Sequence, residues 1–225
     1  MTVNADSERL AELFARPVQI FDLDGTLVDT LVDLTVALNM ALYDHRLPPV
    51  SRDLVRASLH GGFEASVRAA LESADAHDDR FDPLLASYQH RYRAVSGKLA
   101  RVYRGVPRKL AELRRHGARL AICSNKTEAE ARRLLELMGI AGFFEAVVGA
   151  DTCGTRKPDP EPLVKAIDLL GGNRGHALFT GDSHVDVACA HAAGVDCAFF
   201  GGGYGDPQAT VSARFDAWDQ LPVHG

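Results

Sequence analysis

Five short apolar runs, rich in β-branched and aromatic residues, alternate with stretches of helical periodicity: VQIFDL from residue 18, RLAICS from 119, EAVVGA from 145, HALFTG from 176 and VDCAFF from 195. Strands that alternate with helices build a mostly parallel sheet with helices on its faces. The helical signals are clearest after the second run. Thr127 and Glu130 form a capping-box pair, Ala131, Leu134, Leu135 and Met138 share one face, and Gly139 stands just past the end.

Between the first two runs the strand signal vanishes. Ser51, the Gly61-Gly62 pair and Asp82-Pro83 punctuate four helical segments there. The expected architecture is therefore an α/β, doubly wound, Rossmann-like core over residues 1–29 and 102–225, with an α-helical insert over 30–101.

Composition narrows the function classes. At 225 residues, 46% hydrophobic and 24% charged, the chain has the makeup of an ordinary globular protein with a sizeable core. Its net charge of −5 comes without a basic run, so the electrostatic footprint of a nucleic-acid binder is missing. Cys123, Cys153, Cys189 and Cys197 lack C-x-x-C spacing and read as reduced thiols. No stretch approaches the roughly 18 apolar residues of a membrane span, and MTVNADSERLAELF does not read as a signal peptide. A cytoplasmic protein without membrane or nucleic-acid partners is expected.

Ligands of such sheets sit beyond the carboxyl ends of the strands, and four segments there carry chemistry. FDLDGTLVDT sends two carboxylates, Asp22 and Asp24, off the first strand one residue apart. Such a pair can hold a hard cation while one member attacks phosphorus and the other moves protons. ICSNK offers the Ser124 hydroxyl, the Asn125 amide and the N–H groups of a helix start to an anion. GTRKPDPEP holds Lys157 in a loop stiffened by Pro158 and Pro160. FTGDSHVDVACAHAAG ends a strand on Asp182 and adds Asp186 four residues later, on the same face if a helix starts there. Singly these read as a turn, a cap, a solvated lysine and an exposed acid; four in this order at strand ends are improbable by accident.

Together the four segments resemble, in order, the four motifs of the haloacid dehalogenase superfamily, from Asp22 to Gly194. The resemblance implies a Mg²⁺-dependent phosphatase. Asp22 would be the nucleophile that becomes a phospho-aspartate, and Asp24 the general acid and base. Ser124, Asn125 and Lys157 would bind phosphate, Asp22, Asp24 through its main-chain carbonyl and Asp182 would hold the metal, and Asp186 would support them. The insert resembles the family's α-helical cap, and ALNMALYDHRLPPV with LHGGFEASVRAAL is similar to phosphoglycolate phosphatases. That similarity implies 2-phosphoglycolate or another small phosphate ester as substrate, in a site the cap closes against water.

Two alternatives remain open. A β-phosphoglucomutase-like enzyme shares the acid and the helical cap and would return an isomerised sugar phosphate. A receiver domain, from a different class, accepts phosphate on a strand-end Asp, but the long insert and the second acid argue for turnover. Around the insert's glycine pair, His60, Gly61, Gly62, Phe63 and Arg68 are candidate specificity residues, with Arg68 able to bind a substrate carboxylate. His184, Asp29, Cys123 and Cys189 read as bystanders, and a monomer or homodimer is expected.

Overall fold

The structure, a computed structural model, describes residues 2–222; the side chains of residues 2–5 and of His60 lie outside the description. All five apolar runs form strands. The elements in order are α1 (Thr2–Phe14), β1 (Val18–Phe21), β2 (Val28–Asp29), α2 (Leu31–Asp44), α3 (Arg52–Ser58), α4 (Gly62–Ser73), α5 (Phe81–Val95), β3 (Arg101–Val102), α6 (Val106–Arg115), β4 (Arg119–Cys123), α7 (Glu128–Leu137), β5 (Ala146–Val148), α8 (Glu161–Leu169), β6 (Ala177–Gly181), α9 (His184–Ala193), β7 (Asp196–Phe200) and β8 (Ala213–Phe215).

Six strands form one sheet in the order β5-β4-β1-β6-β7-β8, and every pairing is parallel. The chain moves outward from β1 in both directions, which makes the fold doubly wound. Successive β1 side chains go to opposite faces of the sheet. Ile20 joins Leu163, Ile167, Phe179, Val187 and Ala190, the layer formed with α8 and α9. Phe21 meets Trp218 at 6.0 Å between ring centroids, in an aromatic cluster with Phe14, Phe200 and Phe215. Burying each such side chain contributes about 1.5–3 kcal/mol, so β1 is held from both faces.

Besides the two-residue strands β2 and β3, two elements were not expected from the sequence. The N-terminal segment forms α1, which buries Leu10, Leu13 and Phe14; Gln19 of β1 ties it down by donating to the Leu13 and Arg16 carbonyls. The second is β8, an edge strand whose central Arg214 is exposed, so its three residues lack an apolar run.

The chain divides into two compact units, residues 1–28 with 102–225 and residues 29–101. Four α-helices make up most of the second. Ser51 caps α3 by accepting from the Leu54 N–H, and Gly62 ends a short 3₁₀ turn with φ 76° before α4 begins. Phe63 packs edge-on against Tyr88 and Tyr92 at 4.7 and 5.3 Å. The buried Asp33 carboxylate accepts from the main-chain N–H groups of Gly97, Leu99 and Ala100, which fastens the end of this unit to α2.

Candidate active site

The strand register places the chemistry. Phe21 pairs with Ile122 on one side and Thr180 on the other. Asp22 follows β1 directly, and Ser124 and Asp182 each lie two residues beyond their strand's partner to Phe21. All three thus stand at the carboxyl edge of three adjacent strands. The turn after Asp22 needs Gly25, whose φ of 85° belongs to the left-handed region and whose absent Cβ would lie 2.4 Å from Asp182 Oδ2. Trp218 Nε1 donates to the Thr26 carbonyl at 2.9 Å, so the aromatic core holds the turn from behind.

Lys157 is the hub of one half of the site. Its ammonium donates to Asp22 Oδ1 and Asp186 Oδ1, both at 2.7 Å, with only 3% of its side chain exposed. The loop carrying it is clamped by Asn125, whose Oδ1 accepts the Lys157 N–H at 2.9 Å and whose Nδ2 donates to the Lys157 carbonyl at 3.0 Å. Both ends of the amide are thus engaged by Lys157, so Asn125 orients the lysine loop.

Asp186 is the third residue of α9, whose N-cap is Ser183, and its carboxylate completes the capping box. The helix start brings it near Asp182, with carboxylate oxygens of the two within 4.8 Å. Asp186 Oδ2 accepts from the Ser183 N–H and hydroxyl at 3.1 and 2.6 Å, while Oδ1 holds Lys157. Asp182 is held just as firmly: Oδ1 accepts from the Thr26 hydroxyl at 2.7 Å and Oδ2 from the Tyr204 N–H at 2.8 Å. Sequence reasoning missed Thr26, which stands in the quoted FDLDGTLVDT run, and Tyr204, which stands in the GGGYG stretch at 201–205.

Lys126 is the larger omission. This third residue of the SNK run places its ammonium 2.8 and 2.9 Å from the two oxygens of Asp24, with its side chain 6% exposed against 21% for Asp24. Its own N–H donates to Ser124 Oγ at 3.2 Å.

Electrostatics follow from this crowding. Burial, reinforced by the charges of Asp186 and Asp24 and opposed by Lys157, pushes the Asp22 carboxyl up to about 7. Burial, then Asp22 and Asp186, drive Asp182 well above the usual carboxylate range despite the Tyr204 and Thr26 hydrogen bonds. For Lys157 burial disfavours the charge, but Asp186 and Asp22 outweigh it and hold the ammonium well above its ordinary value. With every group ionised, the four carboxylates Asp22, Asp24, Asp182 and Asp186 against the two ammonium groups Lys126 and Lys157 would leave an excess of two negative charges.

That excess matches one divalent cation. Carboxylate oxygens of Asp22, Asp182 and Asp186 lie within 4.8 Å of one another, an all-oxygen set that suits a hard ion. The donors therefore fit Mg²⁺ in both kind and charge.

Of the insert's candidates, Gly61 and Arg68 are exposed, and the Arg68 guanidinium lies 4.4 Å above the Phe81 ring. Phe63 is half-buried in the aromatic core of its own unit, and the His60 side chain lies outside the described residues.

A doubly wound sheet whose carboxyl edge gathers four aspartates around two buried lysines is the site of an α/β enzyme built to handle a dense anion. The chain belongs to the haloacid dehalogenase-like hydrolases, whose family model matches residues 19–200. It is a hydrolase that resembles phosphoglycolate phosphatases along most of its length. A phosphoglycolate phosphatase of Mesorhizobium japonicum is 38% identical over 218 residues, covering 90% of this chain and 93% of that one. One of Rhodospirillum rubrum is 40% identical over 201 residues, covering 86% and 83%. The crystal structure of a predicted phosphoglycolate phosphatase from Haemophilus somnus 129PT superimposes with a TM-score of 0.85 at 28% identity, covering 92% of this chain and 96% of that one. Among the described residues no helix is long and apolar enough to cross a membrane.

Proposed function

We infer that the chain is a Mg²⁺-dependent phosphomonoester hydrolase that works through a phospho-aspartate on Asp22, with 2-phosphoglycolate or a similarly small ester as substrate. The observation that carries this is the pairing of Asp22 with Lys157 beside an oxygen-only cation site. Asp22, Asp182 and the main-chain carbonyl of Asp24 would hold Mg²⁺, which supplies positive charge between an anionic nucleophile and a dianionic phosphate.

Asp22 attacks phosphorus in line, the ester P–O bond breaks, and the departing alkoxide takes a proton from Asp24. Lys157 and Ser124 neutralise and orient the non-bridging oxygens. In the second half a water gives its proton to Asp24 and attacks the phosphorus, releasing inorganic phosphate and restoring Asp22. Asp24 now accepts hydrogen bonds from Lys126 with both oxygens, so delivering a proton requires Lys126 to release at least one. The helical unit over residues 29–101 corresponds to the family's cap in this reading.

The choice of substrate rests on the relatives named phosphoglycolate phosphatase. Phosphate release from 2-phosphoglycolate, sugar phosphates, nucleotides and an aryl phosphate, each with Mg²⁺ and with EDTA, tests it. A Mg²⁺-dependent preference for 2-phosphoglycolate is expected. Broad release would remove the substrate but keep the chemistry, and isomerised sugar phosphate without release would make the chain a mutase.

A further inference from the structure

The two buried lysines serve different partners. Lys157 bonds Asp22 and Asp186. Lys126 bonds Asp24, the proton carrier of the proposed reaction. We propose that Lys126 is a specificity residue that reads a carboxylate on the leaving group, exchanging its hydrogen bonds with Asp24 for the carboxylate of an α-hydroxy-acid phosphate. This rests on the reading of Asp22 as nucleophile and Asp24 as proton carrier.

The site is built for such an exchange. An ammonium with 6% of its side chain exposed has given up most of its hydration, so it requires an anion in every state of the cycle. Its main chain is fixed. The N–H donates to Ser124 Oγ at 3.2 Å and the carbonyl accepts from the Ala150 N–H at 2.8 Å, with Gly149 packed so closely that a Cβ there would lie 2.7 Å from the Lys126 oxygen. Beyond the main chain lie four rotatable methylenes and a point charge that accepts partners from many directions. The base is fixed while the charge can swing.

Substrate chemistry supplies the second partner. In a 2-phosphoglycolate-type ester one methylene separates the carboxylate from the ester oxygen. Once Asp24 is at hydrogen-bond distance from that oxygen, the carboxylate is delivered beside the ammonium already bonded to Asp24. Lys126 then changes partner without losing charge compensation, and Asp24 recovers the oxygen that must carry the proton. A leaving group of equal size but no charge offers the ammonium no anion in exchange, so Lys126 keeps Asp24 occupied. Recognition of the anionic alcohol and release of the proton carrier are one event.

The test compares 2-phosphoglycolate with 2-hydroxyethyl phosphate, which replaces the carboxylate by a hydroxymethyl group, in wild type, Lys126→Met and Lys126→Arg, with saturating Mg²⁺. Wild type should prefer 2-phosphoglycolate in kcat/KM by about 10²-fold or more, as a site built around a charged partner rejects its uncharged analogue. Lys126→Met should lose most of that preference, with the loss concentrated on 2-phosphoglycolate, and Lys126→Arg should restore part of it. An equal fall for both esters with the preference retained would overturn the proposal, since a lysine that only props Asp24 acts on every substrate alike; so would no change in either. If Lys126→Met does not fold, wild-type product inhibition decides: glycolate should inhibit at least about tenfold better than ethylene glycol, and equal inhibition would count against Lys126. Absence of phosphate release from both esters in wild type would instead remove the underlying hydrolase reading.

Discussion

Lys126 Nζ lies 2.8 and 2.9 Å from the two carboxylate oxygens of Asp24, while the other buried lysine of the site, Lys157, lies 2.7 Å from Asp22. Two carboxylates one residue apart in sequence are thus held by separate cations from separate segments. In the proposed reaction this separates the nucleophile, Asp22, from the proton carrier, Asp24, each beside its own cation.

Asp24→Asn keeps the size and the acceptor oxygen but cannot carry the proton. A lost general acid and base costs about 10²- to 10⁴-fold in rate, or roughly 3–5 kcal/mol of transition-state stabilisation. Steady-state kinetics should show a fall of this size in kcat/KM, with the far-ultraviolet circular dichroism of wild type retained; near-normal turnover would remove Asp24 from the role.

The raised Asp22 carboxyl makes metal-free stability depend on pH. Between the ordinary 3.8 and about 7, the folded protein keeps a proton at Asp22 that the unfolded chain has released. This contribution is fully present below the lower value and is lost as pH rises through the upper one, and Asp182 acts in the same direction. In EDTA, Asp22→Asn should therefore gain Tm over wild type on going from about pH 5 to about pH 8, and Mg²⁺ should narrow the gap. A pH-independent difference would contradict the burial argument.

Asn125→Ala removes both bonds that hold the Lys157 main chain, at 2.9 and 3.0 Å. A stability loss of about 1–3 kcal/mol in urea titration is expected, because the Lys157 N–H and carbonyl each lose a partner. A loosened Lys157 should also lower kcat/KM by about tenfold or more. Unchanged kinetics would make the clamp dispensable.

Gly203 packs against the acidic cluster that could hold a cation: a Cβ there would lie 2.3 Å from Asp182 Cβ and 2.5 Å from the Gly25 carbonyl. Gly203→Ala should displace Asp182 and raise the Mg²⁺ concentration for half-maximal activity by about tenfold or more. A titration that superimposes on wild type would show that the loop yields instead.

The fold was legible because the buried strands carry their signal in composition. VQIF and ALFTG are buried along their whole lengths, so each reads as an unbroken apolar or small-residue run. What escaped was held by tertiary contact. The strand β8 has three residues with an exposed Arg214 and exists because it pairs with β7. The helix α1 is stabilised by burial of Leu10, Leu13 and Phe14. In the site, strand-end position singled out Asp22, Asp24, Ser124, Lys157 and Asp182, because carboxyl ends of parallel strands converge. Direction was not readable. Nothing local to SNK aims Lys126 at a carboxylate 102 residues away, and nothing in GGGYG shows that the Tyr204 N–H meets Asp182.

The most direct test of the account is acid quench of wild type during turnover of 2-phosphoglycolate with Mg²⁺, followed by mass spectrometry of the peptide containing Asp22. One phosphoryl group on Asp22 is predicted, absent in EDTA and in Asp22→Asn. Turnover with Asp22 unmodified, or with the phosphoryl group on another residue, would contradict it.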